Sequence, residues 1–285
     1  MHPSAIGIIG GSGLYQMDGL THLTEHAVET PYGPPSDVLV GGQLGGRQVF
    51  FLPRHGRGHR ILPHELNHRA NIWALRSLGV RWILCVTAVG SLQEQYAPRH
   101  IVLPSQFFDR TSQRHTFFGD GIAAHLAFAD PIAGPLQQLL HEHGTALGHT
   151  MHLGGTYVNM DGPQFSTRAE SETHRRLGFD VIGMTNLGEV KLAGEAEIAI
   201  ATMAMITDYD CWKVDEAAVT ADAVIAHLVA NAAVAKAILA RVIPHLPTVP
   251  DWPQHRALDS ALVTDRALWP PATVEKLRPI LGRLL

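Results

Sequence analysis

Short apolar runs alternate with helical patterns from the N-terminus to about residue 245. The runs are rich in Val and Ile and are bounded by Gly, Pro or polar residues, as is typical of buried strands. They predict six strands, at Ile6–Ile9, Gln48–Leu52, Trp82–Val86, Ile101–Leu103, Thr156–Met160 and Ile198–Thr207. Apolar residues at helical spacing predict four helices, at Asn67–Leu78, Pro131–Leu147, Arg168–Leu177 and Thr220–Ile243.

Strands separated by helices indicate the α/β class, with a mixed central sheet that helices cover on both faces. No change of composition marks a linker before the stretch Pro244–Pro253, which carries four prolines. We therefore expect one domain over residues 1–246 and a C-terminal helical appendage over residues 247–285. The appendage is expected to pack on the same domain or on a neighbouring subunit.

Charge and composition narrow the class of partner. Charged residues make up 17% of the chain and the formal net charge is -4, with Lys and Arg dispersed rather than clustered. This disfavours nucleic acid and anionic membranes as partners, and no apolar run is long enough to span a bilayer. Cys85 and Cys211 are expected to be buried thiols in a reducing cytoplasm, because disulfides are rare there.

Three predicted strands run into turns suited to an anion. Gly10-Gly11-Ser12-Gly13 follows the first strand and presents backbone N–H groups and a hydroxyl. Arg54 and His55 follow the second, and both side chains can donate to phosphate oxygens. Thr87-Ala88-Val89-Gly90-Ser91 emerges from the third. Ligands of open α/β sheets bind beyond the carboxyl ends of strands, so these turns together predict a phosphate site.

Two aspartates follow the last predicted strand, in Thr207-Asp208-Tyr209-Asp210. Carboxylates just past a buried strand are costly to desolvate unless they have a task. One carboxylate can accept a hydrogen bond from the N6 amine of adenine, while a protonated carboxyl can donate to N7. A turn with two solvated aspartates is the alternative interpretation.

His64-Glu65-Leu66-Asn67-His68 matches the H-E-x-x-H signature of zinc hydrolases. The signature requires one helix that spans both histidines and a third ligand elsewhere. The extended spacing of zinc proteases is absent, and a chance match in a chain with 18 histidines is the simpler interpretation.

Taken jointly and in order, these motifs resemble the trimeric purine nucleoside phosphorylase superfamily, and within it the branch that acts on 5′-methylthioadenosine. The resemblance covers roughly residues 5–245. It is carried by Ile6–Gly13, Thr30–Gly33, Arg54–Gly56, Ala70–Leu75, Thr87–Ser91, Gly162–Glu170, Met184–Thr185 and Thr207–Trp212.

The resemblance implies a cytoplasmic homotrimer that cleaves methylthioadenosine with phosphate, to adenine and 5-methylthioribose 1-phosphate, without metal or organic cofactor. By the same resemblance, phosphate is bound by Ser12, Arg54, His55, Thr87, Ala88 and Thr185. The substrate contacts are Met184 at the ribose and Phe165, Asp208 and Asp210 at the base, with Asp208 the catalytic acid at N7. The specificity positions are Ser166, Ala221, Val224 and His125, the last reaching a neighbour's 5′ pocket.

Three positions depart from the family pattern. Ser12 and Asn186 stand where the family usually has Thr, and Ala221 replaces a larger aliphatic residue. The smaller Ala221 predicts a roomier and less selective 5′ pocket.

Other functions remain open at the level of the sequence. A phosphorylase for 6-oxopurine nucleosides or methylthioinosine is the nearest, although an amide in place of one aspartate would suit a 6-oxo base better. A zinc hydrolase built on His64 and His68 is remote. A non-catalytic nucleotide-binding module that uses only Gly10–Gly13 would leave Arg54 and the aspartates without a role.

Overall fold

The computed structural model describes residues 4–11, 14, 16–213 and 221–285, with only the backbone described for residues 221–230. The strands of this part of the chain are β1 (Ala5–Gly10), β2 (Thr21–His26), β3 (Leu39–Leu44), β4 (Arg47–Pro53), β5 (Val80–Ser91), β6 (Ile101–Leu103), β7 (Gln106–Arg110), β8 (Met151–Leu153), β9 (Thr156–Met160), β10 (Val181–Gly183) and β11 (Ala199–Asp208). Its α-helices are α1 (His68–Ser77), α2 (Gly134–Ala146), α3 (Arg168–Arg176), α4 (Asn186–Glu195), α5 (Ala221–Val242), α6 (Pro271–Lys276) and α7 (Arg278–Leu281).

All these strands belong to one mixed sheet, in which β5 is the central member. β1 pairs in parallel with both β4 and β5, and β5 pairs in parallel with β11. β10 pairs with β5 in the antiparallel sense near the end of β5, and β2 and β3 extend the opposite edge as antiparallel strands. The carboxyl ends of β1, β4, β5 and β11 therefore meet at one edge of the sheet.

The six predicted strands and four predicted helices are confirmed, two of the strands to the residue. The sequence pattern missed β2, β3, β7, β8 and β10; of these, β8 and β10 have only three residues, β2 and β7 are mostly exposed, and β3 is buried but contains two glycines. It also missed α4, in which Asn186, Glu189 and the apolar residues around them are all buried. A helix buried on all sides has no polar face, so it shows no amphipathic periodicity.

The segment after residue 246 packs on the same core as the sheet. Leu277 and Ile280 are fully buried, and the indole N–H of Trp73 donates to the carbonyl of Lys276 (2.9 Å). Arg81 of β5 donates to the carbonyl of His255 (3.1 Å), and Nε2 of His255 lies 2.9 Å from the carbonyl of Arg81. The boundary at residue 246 stays a prediction. No helix among the described residues is long and apolar enough to cross a membrane.

Candidate active site

The ends of β1, β4 and β5 are joined through Arg54. Its backbone N–H donates to the carbonyl of Gly10 (2.9 Å), and its Nη1 donates to the carbonyl of Val86 (2.9 Å). The parallel pairing places the ends of β1 and β4 beside the middle of β5, and Thr87–Ser91, which the sequence suggested as a turn, is instead the last part of β5. Ser12, the hydroxyl of the first turn, lies outside the described residues.

Arg54 is buried and forms a bidentate ion pair with Glu189 of α4. Nε lies 2.5 Å from Oε1, and Nη2 lies 2.9 Å from Oε2. Burial alone raises the pKa of Glu189, but the charge and hydrogen bonds of Arg54 outweigh it and hold the pKa below its usual value. Conversely, burial lowers the pKa of Arg54, and the charge and hydrogen bonds of Glu189 together outweigh it, so the pKa lies above its usual value. Both groups are therefore ionised at neutral pH.

His55 is neutral, because burial, reinforced by the charge of Arg54, lowers its pKa to about 4. Its Nδ1 lies 2.8 Å from the carbonyl of Ile61. A carbonyl only accepts, so Nδ1 carries the proton and Nε2 is an acceptor. The ring stacks on that of His59, with centroids 4.3 Å apart. The sequence suggested a further donor to phosphate; in this tautomer the free Nε2 of His55 can only accept a hydrogen bond.

Thr87 and Thr185 are both buried, and Ala88 between them and solvent is partly exposed. The buried Tyr157 of β9 lies beside both threonines, which affect the pKa of its phenol. Its hydroxyl occupies the space at Gly183, where a Cβ would lie 1.8 Å from the oxygen. Gly183 is thus required for β10 to approach Tyr157 and for Thr185 to begin α4 next to β5.

Asp208 and Asp210 lie against Gly90 at the end of β5. A Cβ on Gly90 would lie 3.0 Å from Oδ1 of Asp208 and 3.4 Å from Cβ of Asp210, so the glycine leaves room for both. The N–H of Asp210 donates to Oδ1 of Asp208 (2.8 Å), and the Thr207 hydroxyl lies 2.6 Å from Oδ2. Asp210 has a φ of 51° and belongs to a turn rather than to the strand.

One oxygen of Asp210 is buried and lacks a partner. No hydrogen bond of the described residues reaches Oδ2. Burial raises the pKa of Asp210, and the nearby hydroxyls of Ser171 and Ser166 reduce that rise. A buried acceptor without a donor costs about 1–3 kcal/mol, which a ligand N–H placed there would recover.

The loop before α3 closes the same end of the sheet. Met184 packs against Gly162, where a Cβ would lie 2.5 Å from its sulfur. The Cys211 thiol donates to the carbonyl of Ser166 (3.3 Å), so Ser166 is held beside the aspartates. Phe165 is 47% exposed, and the structure leaves its ring accessible to a ligand. Cys211 itself is only partly buried, whereas Cys85 is buried as expected; both are free thiols.

The remaining specificity positions are not brought together with the aspartates by any described contact. His125 is exposed, and its backbone N–H donates to the carbonyl of Ala261 in the C-terminal segment (2.8 Å). Ala221 and Val224 lie in the first turn of α5, where only the backbone is described. Their predicted roles stay predictions.

The H-E-x-x-H motif does not form the helix that a zinc site needs. His64 is exposed in a short 3-10 turn that ends at Glu65, and Leu66 is extended. α1 begins only at His68, which is buried with its ring 4.9 Å from that of His115. Among the described residues, no group of three His, Cys, Asp or Glu side chains is arranged to hold a metal ion.

Three residues that the sequence reasoning missed belong to this site: Glu189, Asn186 and Tyr157. Glu189 is separated from Arg54 by 135 residues, so nothing local in the sequence couples them. Asn186 was noted only as a departure from a pattern. No local signal in the sequence marked Glu189, because α4 also contains Asn186, Lys191 and Glu195.

Comparison with known proteins identifies the family. The sequence profile of the phosphorylase superfamily matches residues 5–244. The chain belongs to this superfamily. A relative named S-methyl-5′-thioadenosine phosphorylase, from Koribacter versatilis, is 51% identical over 279 residues, covering 98% of this chain and 96% of its own. One of the same name from Hyperthermus butylicus is 52% identical over 248 residues, covering 86% of this chain and 90% of its own.

Solved structures of superfamily members are similar over the same length. A methylthioadenosine phosphorylase from an Antarctic soil metagenomic library superposes with a TM-score of 0.93 at 46% identity, covering 99% of this chain and all of its own. A variant of the adenosine/methylthioadenosine phosphorylase of Schistosoma mansoni, in complex with methylthioadenosine, has a TM-score of 0.77 at 35% identity, covering 84% of this chain and 90% of its own.

Proposed function

We propose that this superfamily member is a pentosyltransferase that cleaves 5′-methylthioadenosine with inorganic phosphate, releasing adenine and 5-methylthioribose 1-phosphate for purine and methionine salvage. The observation that carries the proposal is the layout along β5. Ala88, two residues beyond the Val86 carbonyl that accepts from Arg54, and Gly90, beside the aspartates, face the same side of the strand about 7 Å apart. An anion site and a base site at that spacing suit a ribose held between them.

The two aspartates recognise the base. The unpartnered Oδ2 of Asp210 is an acceptor suited to the N6 amine of adenine. A 6-oxopurine presents an acceptor at that position and would leave both groups unpaired. The layout therefore supports a 6-amino substrate over inosine-type substrates, and the names of the relatives point the same way.

The reaction needs a proton on the leaving base and a nucleophile at C1′. A phosphate oxygen forms the new bond to C1′ as the bond to N9 breaks, and the electron pair of that bond goes to the purine. Proton transfer from Asp208 to N7 makes adenine a neutral leaving group. The Thr207 hydroxyl lies within reach of both Oδ2 of Asp208 (2.6 Å) and the Val89 carbonyl (3.2 Å). When the Thr207 hydroxyl donates to the Val89 carbonyl, its oxygen can accept a hydrogen bond from the O–H of a protonated Asp208.

Arg54, Thr87, Thr185 and the backbone at Ala88 hold the phosphate on the opposite side of the ribose, where its charge also stabilises the developing oxocarbenium ion. Nε2 of neutral His55 accepts a hydrogen bond from the O–H of hydrogen phosphate. Fixing both reactants in this way supplies much of the rate acceleration through orientation. Met184 contacts the ribose, Phe165 packs on the base, and no metal or organic cofactor takes part.

We further propose that the enzyme works as a cytoplasmic homotrimer in which His125 of one subunit completes a neighbour's 5′ pocket. The exposed position of His125 and the free state of both cysteines support this arrangement. Light scattering is expected to give a mass of three chains, and a fully active monomer would contradict it.

The deciding experiment measures release of free base from methylthioadenosine, adenosine, methylthioinosine and inosine, with and without phosphate. We expect turnover that depends on phosphate, survives strong chelators and favours the two 6-amino substrates. Base release without phosphate would indicate a hydrolase. Preference for the 6-oxo substrates would refute the assignment of the aspartates.

A further inference from the structure

The Arg54–Glu189 pair is built differently from a surface ion pair. The side chains are 4% and 1% exposed, and Arg54 also bonds to the carbonyls of Gly10 at the end of β1 and Val86 in β5. Burying two opposite charges costs desolvation energy that their attraction often only balances, so such a pair is a poor device for stability alone. A fixed orientation of the guanidinium is the property that this arrangement provides.

Glu189 is itself held in place by further hydrogen bonds. Nδ2 of Asn186 donates to its Oε2 (3.0 Å), and the Cys85 thiol lies 3.3 Å from the same oxygen. Oδ1 of Asn186 in turn accepts from the hydroxyl of Thr202 in β11 (2.8 Å). Asn186 thus connects the central sheet to the carboxylate, and both of its polar ends are satisfied. A threonine at this position would lack an amide to reach Glu189.

The contacts of Arg54 leave a defined part of it for a ligand. A guanidinium has five N–H donors. Nε and one N–H of Nη2 go to Glu189, and one N–H of Nη1 goes to the Val86 carbonyl. One N–H on Nη1 and one on Nη2 remain, and two adjacent donors can bind two oxygens of a phosphate.

We infer that Glu189 is a positioning residue for phosphate: held by Asn186 and Thr202, it binds one side of the Arg54 guanidinium so that the remaining N–H groups point to the co-substrate. The inference rests on the proposed function, because that function makes phosphate the ligand of Arg54. Glu189 does not touch substrate. Its effect is therefore on the binding of phosphate rather than of the nucleoside.

The test compares three variants with the wild type in the full-length protein. Glu189→Gln keeps the shape but loses the charge, and we expect KM for phosphate to rise roughly 10²-fold, as for a misplaced catalytic group. Asn186→Ala removes one hydrogen bond to Glu189, and we expect a rise of about fivefold. In both variants KM for methylthioadenosine is expected to change less than about threefold.

Glu197→Gln is the matched control. Glu197 is also fully buried and is paired with an arginine, Arg283, but it accepts from the N–H of Leu258 and anchors the C-terminal segment instead. This variant is expected to lower the melting temperature without a selective rise in KM for phosphate. A comparable selective rise in the control would overturn the inference, because any buried carboxylate would then have the same effect.

Calorimetric titration with inorganic phosphate alone gives a readout that does not need turnover. We expect Kd for phosphate to rise in parallel with KM in both site variants. Equal rises in KM for phosphate and nucleoside, or an unchanged KM and Kd for phosphate in folded Glu189→Gln, would overturn the inference. If Glu189→Gln does not fold, Asn186→Ala decides by the same two measurements. A wild type that binds phosphate but does not turn over nucleoside would refute the proposed function and leave the positioning role testable.

Discussion

The backbone N–H of Asp210 donates to a carboxylate oxygen of Asp208 at 2.8 Å, so the conformation of one aspartate depends on the other. The two carboxyl groups nevertheless have different surroundings. Asp208 lies at the end of β11 beside Thr207, whereas Asp210 lies in the following turn with one buried oxygen that lacks a partner. The pair is therefore suited to two separate tasks at the base, and the two tasks can be tested by separate substitutions.

Substitution of Asp208 is expected to remove the proton donor. An amide keeps the shape but cannot transfer a proton to N7, so kcat of Asp208→Asn should fall about 10²–10⁴-fold. Steady-state turnover of methylthioadenosine, with a melting curve to confirm folding, measures the effect. Asp251→Asn, at an exposed position in the C-terminal segment, is the control. A value of kcat within tenfold of the wild type would exclude Asp208 as the acid.

Substitution of Asp210 is expected to change the preference for the base. In Asp210→Asn the amide can donate to O6 of a 6-oxopurine, whereas a carboxylate can only accept. The ratio of kcat/KM for methylthioadenosine to that for methylthioinosine should fall by about 10²-fold or more, because a mismatch leaves buried groups unpaired. An unchanged ratio would mean that Asp210 does not contact the base at N6.

A methyl group at Gly183 is expected to displace Tyr157. The added Cβ would lie 1.8 Å from the phenol oxygen and 2.5 Å from Cζ, and Tyr157 is fully buried. Overpacking of this kind costs about 1–3 kcal/mol, and the shift should also raise KM for phosphate through Thr87 and Thr185. Denaturant unfolding and steady-state kinetics of Gly183→Ala measure both effects.

Gly134→Ala is the matched control, because a Cβ at this first residue of α2 meets nothing within 4 Å. It should be neutral or slightly stabilising, since Ala favours a helix more than Gly. Equal losses of stability in the two variants would contradict the steric argument at Gly183.

Mild acid is expected to destabilise the attachment of the C-terminal segment. Burial lowers the pKa of His255 to about 4, and its neutral ring is fully bonded: Nε2 to the Arg81 carbonyl, and Nδ1 to the N–H of Trp252 (3.1 Å). The unfolded chain binds a proton here below about pH 6.5 and the folded chain only below about pH 4. Stability from this residue is thus present at neutral pH and decreases as the pH falls from 6.5 to 4.

Unfolding free energies measured across that interval should show the loss, which amounts to at most about 1.4 kcal/mol per pH unit for one group. The pKa values of His55 and His68 are also lowered to about 4, so these residues add to the loss of unfolding free energy per pH unit. Glutamine does not titrate, so the unfolding free energy of His255→Gln should depend less on pH than that of the wild type. An identical slope in the two proteins would contradict a neutral His255.

The sequence predicted those parts of the molecule that depend on local patterns. Runs such as Ile101–Leu103 have flanking residues that end a strand, and Gly10–Gly13, Arg54–His55 and Thr87–Ser91 carry recognisable chemistry, although the last of these continues β5 instead of forming a turn. The α4 helix was missed because polar Asn186 and Glu189 interrupt its apolar residues while all of them are buried. Their partners, Thr202 and Arg54, are distant in the chain, so the network exists only in the folded protein.

The tautomer of His55 was equally beyond prediction, because it depends on a carbonyl six residues away and on the charge of Arg54. The H-E-x-x-H motif is the opposite case, a local sequence pattern that lacks the structure it would need. A zinc site would require a helix over both histidines, but Asn67 caps α1 by accepting from the N–H of Ala70 (3.1 Å), which sets the start of the helix at His68, close to the predicted start at Asn67.

Ala88 and Gly90 belong to one buried strand, β5, which pairs with neighbouring strands on both sides. The distance between these two residues is therefore fixed. Pairing of Ala88 with Met205 and of Gly90 with Asp208 in β11 fixes where the two residues lie along the sheet. One inserted residue between the two positions would turn Gly90 to the opposite face of the sheet and carry the aspartate contact away from the anion site. Under the proposed function, β5 therefore sets the distance from phosphate to base.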